Sequence, residues 1–195
     1  MQSPSLDAYN AGLGILAYLY NSKETGLTLN AQKTCIDAEV MTDQSPVLWT
    51  DGSFGKTTSP FGGHFIEWRG CAISWASRKT KFKPMSTTEQ ELDALVEGLK
   101  DLFNTCGLLE DMDVKIKSPH AITDSKGAYD IVRNPGVTKR SAHFDRRLHY
   151  ARDNYLKESF RLFLIGTNEM MADGLTKVVD RDKFFRCRNY MMNVS

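Results

Sequence analysis

The amino-acid sequence predicts an α/β domain: a mixed five-stranded sheet, three antiparallel strands followed by two further strands, flanked by helices. Three observations carry this expectation. Short apolar and alternating runs cluster at 46–52, 62–68 and 71–77. Apolar residues at helical spacing fill 86–104. Beyond that point strand-like runs at 115–123 and 159–165 enter through helical segments, a pattern that builds mixed sheets covered by helices.

The 195 residues suffice for one domain with a proper core plus an appendage. In residues 5–22, Leu6, Tyr9, Leu13, Leu16, Ala17 and Tyr20 recur at the spacing of an amphipathic helix. Gly12 and Gly14 weaken it, Gly26 ends it, and Leu27–Leu29 reads as a short strand. Residues 30–45 are polar and loop-like. The expected division is an N-terminal arm at 1–45 and a domain at 46–195.

Val47-Leu48-Trp49-Thr50-Asp51-Gly52-Ser53 opens that domain as a buried strand delivering one carboxylate to its rim. A lone Asp-Gly-Ser is more often simple turn chemistry, so its meaning depends on the acids elsewhere in the chain. Arg69-Gly70 is a tight turn that pairs 62–68 with 71–77 as a hairpin. Pro84 closes the basic run after it. In the helix 86–104, Leu92, Leu95, Val96, Leu99, Leu102 and Phe103 form one stripe, and Gly107 is expected to stop it. A strand at 115–123 ends at Asp124, and a helix at 125–133 is closed by Asn134-Pro135-Gly136. A helix at 142–157, a strand at 159–165, a helix from the cap Asn168 to about Lys177 and a last helix at 181–192 complete the chain.

Four carboxylates stand out. Asp51 and Asp124 end strands that a mixed sheet can place side by side, and ligands sit at such rims. Ser86-Thr-Thr-Glu-Gln-Glu-Leu92 offers two acids. Ser86-x-x-Glu89 and Thr88-x-x-Glu91 both fit a helix capping box; Glu89 is assigned to the cap and should turn toward solvent, whereas Glu91 borders the apolar stripe and faces the sheet. Asp173 is expected one turn into its helix, where a first-turn acid is favoured by the helix dipole. Two carboxylates about 4 Å apart repel by roughly 4 kcal/mol at an effective dielectric near 20. A cluster therefore needs bound cations or raised pKa values. Oxygen donors without cysteine select a hard ion, Mg²⁺ or Mn²⁺, and two such ions serve phosphodiester hydrolysis.

Composition narrows the classes. The net charge is only +1, but Arg78, Lys79, Lys81 and Lys83 form a run without an acid, and six Lys/Arg lie between Arg133 and Arg152 against one acid, Asp145. Local basic tracts on a near-neutral chain fit a protein that holds a polyanion in one place. No apolar stretch could span a bilayer and no signal peptide is evident. Cys35, Cys71, Cys106 and Cys187 lack a Cys-x-x-Cys pair and read as free, mostly buried thiols of an intracellular, not secreted, protein. His143, Asp145 and His149 share no helix face suited to a transition metal. Trp49, Trp68 and Trp75 read as core residues.

These motifs resemble ribonuclease H. Thr50-Asp51-Gly52-Ser53, Glu91-Leu92, Thr123-Asp124-Ser125 and Asn168-Glu169 followed by Asp173 are similar to its four catalytic motifs, in order. A narrower resemblance covers nearly the whole chain: the ribonuclease H region of copia-type (Pseudoviridae) retrotransposon polyproteins. It rests on Ala72-Ile-Ser-Trp-Ala-Ser-Arg-Lys-Thr80, on Ser86–Leu92, on the spacing of Asp124, Ala128, Asn134-Pro135, Arg140, His143, Asp145, His149 and Arg152, and on Ala172-Asp173-Gly-Leu-Thr-Lys177. Ala17-Tyr18-Leu19 and Thr25-Gly26-Leu27 resemble the family's connection from reverse transcriptase. The chain departs from the pattern at Ser53, where the family often has a second Asp, and at Ala142, where a Lys is usual. No polymerase motif is present, which implies a fragment or a freed module.

The resemblance implies an endonuclease acting on the RNA strand of RNA–DNA hybrids. Asp51, Glu91, Asp124 and Asp173 would hold two Mg²⁺, with Mn²⁺ as substitute. The implied substrate contacts are Gly52, Ser53, Lys79, Lys81, Ser125, Arg140, His143 and Arg147. Implied partners are the hybrid and the polymerase region of the same polyprotein, in a cytoplasmic virus-like particle, with no membrane. The alternative is a catalytically weak or inactive scaffold of the same fold.

Overall fold

The computed structural model describes residues 5–29, 45–55, 59–134 and 145–194. Five strands form one sheet: β1 Val47–Ser53, β2 Phe61–Trp68, β3 Cys71–Lys79, β4 His120–Thr123 and β5 Arg161–Leu164, in the spatial order β3-β2-β1-β4-β5. β1, β2 and β3 are antiparallel, and β4 and β5 are parallel to β1. The β2–β3 turn places Arg69 at φ 50° and Gly70 at φ 83°. Positive φ at both central residues is what a two-residue hairpin turn requires, and glycine meets it without steric cost.

Strand periodicity divides the core in two. On one face Leu48, Ile66, Ala121 and Leu162 pack under α2 (Thr87–Asp111), α3 (Lys126–Arg133) and α4 (Asp145–Leu156), against Leu95, Leu99, Val132 and Ala151. On the other, Val47, Trp49, Phe65 and Ile122 meet Met170, Ala172 and Tyr190 of the C-terminal chain and α5 (Arg181–Met192). The buried Glu67 ties α5 to this face: its Oε2 accepts from Trp49 Nε1 at 3.0 Å and from the Tyr190 hydroxyl at 2.6 Å.

Several elements differ from the sequence expectation. α2 runs through Gly107 because Cys106 and Leu109 continue the buried stripe, which offsets about 1 kcal/mol of glycine cost. It stops where Asp113 takes a left-handed φ of 63° and the Val114 N–H donates to Leu109 O at 2.9 Å, a Schellman ending. β4 begins only at His120, since Pro119 has no N–H for the ladder. The expected helix over 168–177 is two 3-10 turns, Thr167–Glu169 and Met171–Leu175. Asn168 is inside the first of them and caps nothing there. The 27–29 segment is not a strand; its Thr28 N–H donates to Met192 O at 3.0 Å. Trp49 is buried, but Trp75, on the outer strand, is 56% exposed rather than core.

The first helix, α1 (Leu6–Asn21), forms as expected but buries no residue. Its stripe of Leu6, Tyr9, Leu13, Leu16 and Tyr20 faces solvent. It touches the domain through Tyr18, whose ring lies edge-on to Phe184 at 5.6 Å. Cys71, Cys106 and Cys187 are buried free thiols, and Cys35 lies outside the described residues. Among the described residues no helix is long and apolar enough to cross a membrane.

Candidate metal centre

Strand parity aims the first two acids. Asp51 lies two residues beyond Trp49 and so points to the α5 face. The parallel register sets Trp49 beside Ile122. Continuing that register by two residues sets Asp51 beside Asp124, just past the end of β4. The Met171–Leu175 turn packs over the same rim and adds Asp173. Carboxylate oxygens of Asp51, Asp124 and Asp173 lie within 4.8 Å of one another. Asp51 and Asp173 are buried and Asp124 is half-buried.

Glu91 approaches the same rim from the other side, but it is not among the three acids whose oxygens converge within 4.8 Å. The Gly52 N–H donates to Glu91 Oε2 at 2.8 Å. Burial first, then the charges of Asp51 and Asp124, push the Glu91 carboxyl up to about 9. The Asp51 carboxyl is also raised, by burial above all. The Thr176 hydroxyl and the Lys177 ammonium oppose that shift, while Asp173 and Asp124 add to it. Glu89 does cap α2, accepting from Met85 N–H at 2.6 Å, but it does not turn to solvent. It is as buried as Glu91, at 8% exposure, because this first turn packs beneath the rim.

Three side chains that sequence reasoning did not place belong to the centre. Thr176 Oγ1 donates to Asp51 Oδ2. Lys177 Nζ lies 3.3 Å from Asp51 Oδ1 and 2.8 Å from Asp173 Oδ1. Lys183 Nζ, from α5, pairs with Asp173 Oδ2. The four-residue spacing of Asp173 and Lys177 was a readable signal. Nothing local links Lys183 to Asp173 or Thr176 to Asp51.

The remaining predicted contacts are spread around this rim. Ser53 is half-buried at the end of β1. Ser125 Oγ accepts from Ala128 N–H at 3.2 Å and caps α3. Lys79, Lys81 and Lys83 are exposed, while Thr80 turns inward to a pair of hydrogen bonds with the buried Gln90. Arg147 stands beside the same run. Its Nε is 2.6 Å from Asp93 Oδ1 and its guanidinium stacks 4.0 Å over the Phe82 ring, lining a cavity of about 130 Å³ with Lys79 and Lys81. Arg140 and His143 lie outside the described residues, so the His143–Asp145–His149 grouping is also undescribed as a whole.

The donor set fits a hard divalent cation. It is all oxygen, its acids converge, and the buried Asp51 Oδ1 and Asp173 Oδ1 accept no aligned hydrogen bond even with Lys177 nearby.

No protein-family model matches the chain. It is 36% identical over 126 residues, 65% of its length, to the retrovirus-related Pol polyprotein from transposon TNT 1-94 of Nicotiana tabacum, covering 10% of that protein. It is 26% identical over 188 residues, 94% of its length, to the Pol polyprotein from transposon RE2 of Arabidopsis thaliana, covering 12% of it. The chain thus spans about a tenth of the length of these relatives. Among solved structures it is similar to LC11-RNase H1, isolated from compost by a metagenomic approach. The TM-score is 0.53 at 18% identity, over 68% of this chain and 93% of that one. The same enzyme in complex with an RNA/DNA hybrid matches at a TM-score of 0.50 and 16% identity, over 68% and 94%. The chain is a relative of copia-type retrotransposon Pol polyproteins, built on the ribonuclease H fold.

Proposed function

We propose that this chain cleaves the RNA strand of RNA–DNA hybrids by two-metal-ion hydrolysis during retrotransposon reverse transcription. The observation that carries the reading is the convergence of Asp51, Asp124 and Asp173, whose oxygens lie within 4.8 Å of one another, with Glu91 held at the same rim by Gly52. These four would hold two Mg²⁺, or Mn²⁺ in their place. When bound, the ions activate water and stabilise the leaving oxygen of the phosphodiester. The solved relative of this fold in complex with an RNA/DNA hybrid supports the choice of substrate.

The chain's own residues position the hybrid. The Gly52 N–H is committed to Glu91, so reading of the RNA 2′-hydroxyl falls to Ser53 and the free oxygen of Glu91. Lys79 and Lys81, on the solvent side of the basic run, meet phosphates of the DNA strand. Ser125, Arg140, His143 and Arg147 are further contacts. Residues 46–195 form the nuclease domain. Residues 1–45 form an arm toward the polymerase region of the same polyprotein, whose setting is an intracellular virus-like particle.

The test is cleavage of a labelled hybrid with Mg²⁺ by wild type and Asp124→Asn. Cleavage by the wild type with a loss of at least about a hundredfold in the variant supports the assignment; equal rates remove it. One observation favours a second reading, an inactive scaffold: Lys177 and Lys183 already neutralise Asp51 and Asp173. Absence of both Mn²⁺ binding and hybrid cleavage in the wild type would select it.

A further inference from the structure

Lys177 occupies an unusual place for a surface cation. Its ammonium bridges two carboxylates from different elements, Asp51 of β1 and Asp173 of the Met171–Leu175 turn, at 3.3 and 2.8 Å. Its backbone is pinned, because the Lys177 and Thr176 N–H groups donate to Asp173 O at 3.1 and 3.2 Å. Its side chain is not: Lys177 is 39% exposed, with a flexible four-carbon stem that can swing to solvent. Lys183 differs. It reaches Asp173 alone, from α5, and does not stand between the two acids.

Asp51 and Asp173 would hold a divalent ion through their carboxylate oxygens, and Mg²⁺ takes such oxygens at only about 2.0–2.1 Å. An ammonium within 3.3 Å of both oxygens fills that volume. The two cations exclude each other by size and by charge.

We propose that Lys177 is a tethered competitor of the divalent ion, and that its displacement sets the metal concentration at which the centre loads. The inference rests on the metal-dependent reading above and adds a positioning residue to it. A centre so guarded stays neutralised and folded without metal, and loads only when the divalent ion outcompetes an ammonium that never diffuses away.

The experiment is calorimetric titration of Mn²⁺ into the nucleic-acid-free protein, comparing wild type, Lys177→Met, Lys177→Arg and Lys117→Met, the last an exposed control on the loop before β4. Lys177→Met should bind Mn²⁺ about tenfold more tightly than wild type, as expected when a nearby like charge is removed. Lys177→Arg, which keeps the charge, and Lys117→Met should stay within about threefold of wild type. Unchanged or weaker binding in Lys177→Met overturns the proposal. So does tightening in Lys177→Arg equal to that in Lys177→Met, since the charge would then not be the cause. Failure of every protein to bind Mn²⁺ overturns both this proposal and the metal reading. Wild-type hybrid cleavage with Mg²⁺, measured separately, tells the two apart: cleavage without tightening in Lys177→Met removes only the competitor role.

Discussion

The backbone N–H of Gly52 donates to Glu91 Oε2 at 2.8 Å, joining the strand that carries Asp51 to the first turns of α2. The joint is as tight as backbone allows. A Cβ on Gly52 would stand 2.8 Å from the carbonyl carbon and oxygen of Gln90 and 2.9 Å from the Glu91 Cα. Those are main-chain atoms and cannot rotate away. Gly52→Ala is expected to destabilise by about 2–3 kcal/mol, the upper part of the overpacking range, and to move Glu91 away from Asp51. Chemical denaturation and hybrid cleavage measure the two effects; a fully stable, fully active variant would contradict the packing.

Glu91 gives the metal-free protein a defined pH dependence. Its carboxyl is raised from 4.5 to about 9, so folding favours its protonated form. The stability tied to that proton is complete below about pH 4.5 and is lost as the pH rises toward 9. Metal-free thermal stability should therefore fall across this window. Glu91→Gln, which needs no proton to stay neutral, should flatten the fall, raise stability at pH 8 and abolish cleavage. Melting curves in a chelator between pH 5 and 9 provide the check.

Tyr190 holds α5 against the sheet through Glu67 Oε2 at 2.6 Å, with Trp49 Nε1 on the same oxygen. Tyr190→Phe removes a 2.6 Å hydrogen bond from a buried carboxylate while keeping the ring. A loss of about 1–3 kcal/mol is expected. Hydrogen exchange should increase along α5 more than along α2 if the hydroxyl acts as this anchor.

The basic run and Arg147 should separate in salt titrations of hybrid binding. Lys81 is exposed and has no described acid partner, so Lys81→Ala should lower the slope of log affinity against log salt by about 0.7–0.9, one phosphate contact. Arg147 is already paired with Asp93 and stacked on Phe82. Arg147→Ala should change the slope less and cost up to about 1 kcal/mol of stability, since the guanidinium is 42% exposed. A larger slope change for Arg147 than for Lys81 would reverse the assignment.

Local pattern by itself determined the hairpin at Arg69-Gly70, the apolar stripe of α2, the five strands of the sheet and the place of Asp124 just past a strand end, whereas Asp51 lies inside β1, which runs on to Ser53. The same pattern also separated the capping acid Glu89 from Glu91, because a two-residue or 3.6-residue period states which side chains share a face. Only tertiary structure decided what surrounds them. The last segment before α5 coils as 3-10 turns because Met170 and Ala172 are drawn into the core beside Trp49. That coil swings Thr176 and Lys177 onto Asp51, while α5 brings Lys183 to Asp173. Trp75 and the α1 stripe went the other way, apolar in sequence yet exposed, since no part of the described chain covers them. Periodicity encodes which face of an element is apolar. It does not encode which distant segment will return to meet that face, because that depends on long-range packing of the whole chain.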